Sequence, residues 1–160
     1  MILDLIALDD SSKVWIYQSD KEFTYDELDV AREDIFHFLN EWTAHSRELN
    51  CYGNIFHRRF LAFFVDETSS YASGCSIDKS VKFVEQLGHK LGKDFFDRMT
   101  YAYMENEEIY TLSHGDLSNA YNSTKINDDT LFFDNLVKTK GDFLKHWIKP
   151  LKSSWHSRFL

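Results

Sequence analysis

The sequence predicts an α+β fold, with one mixed sheet of about five strands covered by helices, in a single domain over residues 1–160. Three observations lead there. Phe60–Val65 is an unbroken apolar run of strand length, the mark of a strand buried on both faces and hence central in its sheet. Two segments, from Leu28 and from Ile77, repeat apolar residues at spacings of three and four, as helices with one buried stripe do. Two short β-favouring runs, Thr100–Met104 and Ile109–Leu112, flank the polar segment Glu105-Asn106-Glu107-Glu108, as in a hairpin.

The elements follow in order. Lys13–Tyr17 alternates Val14 and Ile16 with Trp15 and Tyr17 and reads as a first strand. A helix starts at a capping box made by Thr24 and Glu27, with Phe23 and Leu28 at staple positions, and runs along Leu28, Ala31, Ile35, Phe38, Trp42, His45 and Leu49. After the central strand, which Asp66 ends, a loop from Thr68 to Cys75 leads to a second helix. Its expected N-cap is Ser76, its inner face is Ile77, Val81, Val84, Leu87 and Leu91, and Gly92 stops it. Past the hairpin come a short helix after Ser113, a strand at Leu131–Phe133 and a last helix from Thr139 to about Trp147, where Thr139 and Asp142 resemble a capping box. Pro150 closes the series.

Acidic residues outnumber basic ones 26 to 18, and the resulting net charge of −8 repels phosphate backbones, so no nucleic-acid partner is expected. No apolar stretch is long enough for membrane insertion, and the acidic N-terminal segment lacks the basic start of an export signal, so a cytoplasmic location is expected. Two cysteines, Cys51 and Cys75, without CxxC spacing, predict free thiols. The seven histidines form no HxxxH or HxH pair, and neither a metal site nor a cofactor is expected.

Two segments invite chemistry. Leu61–Glu67 ends an apolar strand in Asp-Glu, like the magnesium-binding motif of an ATPase. The phosphate cradle such chemistry needs is missing, because Ser73 and Asp78 stand where its glycines belong before Lys79-Ser80. The stretch Ser73, Gly74, Cys75, Ser76, Ile77, Asp78, Lys79 and Ser80 lies at a loop-to-helix junction, where free backbone N–H groups and the positive helix end favour an anion or a thiolate. The leading expectation is therefore a binding or interaction module whose small-ligand or protein-partner site uses these residues with Trp42 and Trp155. A thiol enzyme is the alternative, with Cys75 as nucleophile and His45 or His156 as base. A divalent-metal hydrolase built on Asp66 and Asp78 is a third reading. The blander reading of the junction is a helix cap with a packed cysteine, and that of the aromatic tail Ser154–Leu160 is docking on the body.

The strings Lys13–Ser19, Trp42-Thr43-Ala44-His45, Ala72–Val81, Phe96-Asp97-Arg98 and Ser154–Phe159 resemble a family of small bacterial proteins commonly labelled "ABC transporter ATPase". The resemblance spans nearly the whole chain. It implies that Trp42, His45, Cys75, Asp78, Lys79, Trp155 and His156 belong to the family's recognisable pattern, and it implies a grouping without an established activity.

Overall fold

The structure is a computed structural model that describes residues 1–44, 49–67 and 74–160, with residues 43, 44 and 74–76 described by their backbone alone. The class is α+β, with four α-helices and two antiparallel sheets among the described residues. The chain divides into two compact units, residues 1–96 with 138–141, and residues 97–137 with 142–160.

In the first unit, β1 (Lys13–Gln18) and β2 (Asn50–Phe56) flank β3 (Phe60–Asp66) in the order β1-β3-β2. The central place expected for the Phe60–Val65 run holds, and all six of its residues are fully buried. Leu61, Phe63 and Val65 face a core shared with α1 (Tyr25–Ala44) and α2 (Gly74–Leu91). Phe64, on the opposite face, meets Tyr52 and Phe56. Both outer edges of this sheet are covered: Val14 N–H donates to Lys138 O, and Cys51 N–H donates to Met1 O.

The capping box that starts α1 is formed in full. Thr24 N–H donates to Glu27 Oε1 at 2.9 Å, and Glu27 N–H donates to Thr24 Oγ1 at 3.1 Å. The Thr24 backbone N–H, and after it the Lys93 ammonium, hold the Glu27 carboxyl below its usual range. Gly53 lets α1 lie close on the sheet, because a Cβ there would meet Phe63 Cδ1 at 2.8 Å and Ile35 Cγ2 at 3.2 Å. Gly92, at φ 65°, ends α2 as expected, with Lys93 N–H donating back to Gly88 O.

In the second unit the strand order is β5-β4-β6-β7, from β4 (Thr100–Glu105), β5 (Glu108–Ser113), β6 (Leu131–Phe133) and β7 (Ile148–Pro150). The hairpin expected around the acidic turn is present. It closes through Asn106 and Glu107, both at positive φ, which matches the right-handed strand twist. The helix α3 (Leu117–Asn122), Leu151 and Trp155 complete a core with Tyr101, Tyr103 and Phe132. The aromatic tail docks as a 3-10 turn, Trp155–Phe159.

Three expectations need correction. The expected single mixed five-strand sheet is two antiparallel sheets, and β2 is an additional strand, whose turn to β3 at His57 and Arg58 adopts positive φ without a glycine or Asn-Gly signal. That second hairpin makes β3 antiparallel to both its neighbours. Leu49 belongs to the approach to β2 and not to α1 (Tyr25–Ala44). Ser76 is a first-turn residue of α2, which begins at Gly74, so it is not the N-cap. The last helix, α4 (Lys140–His146), lies where the sequence places it, and the carbonyl of Trp147 just beyond it accepts from Asp134 N–H.

Candidate functional site

Within the first unit, α1 and α2 leave a groove of about 490 Å³ between them, inside the range typical of small-molecule sites. Its floor is aromatic. Phe38 stacks on Phe83 at 4.6 Å between centroids and lies 5.3 Å from Trp42, and all three rings approach Phe63 of β3. The helices run antiparallel past each other, since Asp34 pairs with Lys90 while Phe38, one turn later in α1, meets Phe83, two turns earlier in α2.

The two walls differ in charge. The α2 wall carries Lys79, Lys82 and Lys90, and the α1 wall carries Asp34, His37 and Glu41. Lys90 Nζ reaches Asp34 Oδ2 at 2.7 Å and bridges the walls at one end. Lys79 and Lys82 are exposed and make no ion pair among the described residues. Trp42 is 3 % exposed, and its indole N–H has no acceptor among the described residues. Such a donor carries a desolvation cost of ~1–3 kcal/mol. Charged rims over an apolar floor, with a buried donor beside it, suit a small molecule that has an apolar body and an anionic end.

The residues singled out from the sequence fall in several places. Trp42 and Lys79 line the groove. Asp78 is exposed one residue before Lys79. Ser80 is turned inward, 5 % exposed, and its hydroxyl donates to Ile77 O at 2.6 Å, so the helix itself uses the group expected to meet a ligand. Gly74, Cys75 and Ser76 form the first turn of α2, of which only the backbone is described. Ser73 and His45 lie outside the described residues. Cys51 is a free thiol in the core, and burial pushes its ionisation up to about 11, which keeps it protonated and unreactive. Among the described residues no three His, Cys, Asp or Glu side chains converge as a metal-binding set.

Trp155 and His156 belong to the second unit, and both are engaged there. Trp155 N–H donates to Asp134 Oδ1 at 2.9 Å, and its ring stacks on His156 at 3.8 Å. His156 is 1 % exposed, shares a 2.6 Å hydrogen bond with Ser154 through Nδ1, and is enclosed by Tyr101 and Phe132. Burial pushes its pKa down to about 4, against the attraction of Asp134 and with the repulsion of Lys149. This environment suits a packed neutral ring better than a general base.

The consequence is a pH dependence of stability. Between the unfolded value of 6.5 and about 4, the unfolded chain binds a proton that the folded ring refuses, so stability falls as pH falls through that window. The expected loss from this group between pH 7 and pH 5 is ~2 kcal/mol. Urea unfolding of the wild type and of His156→Leu at both pH values measures it as the difference between their pH slopes. Parallel slopes would show that the ring is not held neutral.

Lys82, Phe83, Lys90, Asp34 and Glu41 were not singled out from the sequence, although a signal was present. Lys79, Lys82 and Lys90 recur at helical spacing on one flank of α2, as Asp34, His37 and Glu41 do on α1. No helix among the described residues is long and apolar enough to cross a membrane. Comparison with known proteins adds no relative: no family model matches the chain, and neither does a curated protein or a solved structure.

Proposed function

We propose that the protein is a cytoplasmic binding module that takes a small anionic ligand beside the N-terminal part of α2, in the groove between α1 and α2. The observation that carries this reading is the pair Lys79 and Lys82, two lysines without carboxylate partners among the described residues, set above the Phe38–Phe83 stack in a chain of net charge −8. In such a chain, unpaired lysines at the rim of an aromatic cleft form a local field that attracts one small anion. The same net charge argues against a nucleic-acid partner.

The test uses 8-anilinonaphthalene-1-sulfonate, a probe with an aromatic body and one negative charge. Its fluorescence is expected to saturate at one site per chain. Lys82→Glu is expected to weaken binding by about tenfold or more, as reversal of a rim charge does to a charge-assisted contact. Lys152→Glu, in the second unit, is expected to leave binding unchanged. Binding that never saturates, or that ignores Lys82→Glu, would remove the groove as a site.

A further inference from the structure

The charges around the groove narrow the ligand class. Three lysines face two carboxylates, Asp34 and Glu41, which leaves one net positive charge apart from His37. One lysine and one acid are consumed by the Lys90–Asp34 bridge at one end. What remains is Lys79 and Lys82 on one wall and Glu41 on the other, near the end where Trp42 stands. A single negative charge balances this set. A phosphate dianion would exceed it and would meet Glu41 and a strongly acidic chain as well. Phe38, Phe83 and Leu87 supply an apolar bed longer than a bare anion can use, and Phe38 and Phe83 are only partly buried. Trp42, whose buried indole N–H has no acceptor among the described residues, lines the groove with Lys79.

Resting on the groove as the binding site, we infer that its ligand is an amphiphilic monocarboxylate, a small molecule whose alkyl or aryl body lies along Phe38, Phe83 and Leu87 and whose carboxylate faces Lys79 and Lys82. The body gains from leaving water, and the two ammonium groups orient the head. Glu41 limits affinity, because it stands opposite the head as a like charge.

Displacement of the anilinonaphthalene probe by decanoate, with decanol as the neutral counterpart, tests the class. Decanoate is expected to displace the probe, and decanol to need a concentration about tenfold higher or more. The double variant Lys79→Ala/Lys82→Ala is expected to bring decanoate down to the level of decanol, and Glu41→Gln to strengthen decanoate binding. All three side chains are exposed, and thermal melting of each variant checks that the fold is kept. Equal displacement by decanol and decanoate would overturn the inference in favour of a cleft that reads only apolar surface. Weaker decanoate binding in Glu41→Gln would overturn it too, by showing that Glu41 does not oppose the head. If the probe binds and responds to Lys82→Glu but decanoate fails to displace it, the monocarboxylate class is wrong and the binding reading stands. If the probe itself does not bind, both fall.

Discussion

Phe63→Ala is expected to lower the free energy of unfolding by ~3–5 kcal/mol, the range for deleting a buried aromatic ring. Phe63 is fully buried on the central strand β3, and its ring supports Phe38 at 5.4 Å, Trp42 at 5.9 Å and Phe83 at 6.1 Å. The neighbours are held by two helices and a sheet, so they can collapse only partly into the space, and both the lost burial and the residual cavity contribute. The floor of the groove also loses its support, so probe binding should weaken even at temperatures where the variant is folded. Urea unfolding measures the first effect and probe titration the second. Phe36→Ala is the control: Phe36 lies on the same helix as Phe38 but is 54 % exposed, and its loss should change stability by no more than ~0.5 kcal/mol. A Phe63→Ala variant as stable as the Phe36→Ala control would contradict the core described above.

Asp134→Ala should have an effect of similar size in the second unit. The Asp134 carboxylate joins three segments: Oδ1 accepts from Trp155 Nε1 at 2.9 Å and from Leu136 N–H at 3.0 Å, and Oδ2 accepts from Lys149 Nζ at 2.7 Å. Its side chain is 11 % exposed and that of Lys149 20 %, so water screens the pair little. Alanine would leave a mostly buried ammonium and an indole N–H without their acceptor, and breaking a buried pair from one side costs ~3–5 kcal/mol. Asp134→Asn keeps an acceptor for Trp155 and should lose less. Urea midpoints of the two variants decide the matter, and a loss below ~1 kcal/mol for alanine would place the pair among screened surface bridges.

What could be read from the sequence follows the strength of local signals. The Thr24–Glu27 capping box, the Phe60–Val65 run, the Gly92 stop and the hairpin at Asn106-Glu107 each place a specific residue type where the backbone demands it, and each appears in the structure. The hairpin between β2 and β3 gave no such signal, because His57 and Arg58 make the turn at positive φ where neither a glycine nor an Asn-Gly pair marks it. Without it β2 is hidden and β3 cannot be read as antiparallel to its neighbours, while the division of the strands into two sheets rests on long-range pairing that no local pattern states.

The candidate site was legible in part. Lys79 and Trp42 were singled out, one for its place near a helix start and the other for its buried stripe, and both line the groove. That Lys79 shares the groove with Lys82, Phe83 and Glu41 depends on how α1 and α2 pair. No local pattern states that pairing, since each helix alone shows only an apolar stripe with charged flanks. Ser80 shows the converse: a hydroxyl near a helix start looks available in the sequence, and the fold turns it back onto Ile77 O.

The central claim, that ligands enter between α1 and α2, is tested most directly at the four indole N–H resonances of the ¹⁵N-labelled protein during titration with the anilinonaphthalene probe. Trp42 lines the groove, while Trp147 and Trp155 belong to the second unit. The expected result is a saturable shift of the Trp42 indole signal, with those of Trp147 and Trp155 unmoved. A shift at Trp155 or Trp147 with Trp42 unchanged would place binding elsewhere and contradict the account.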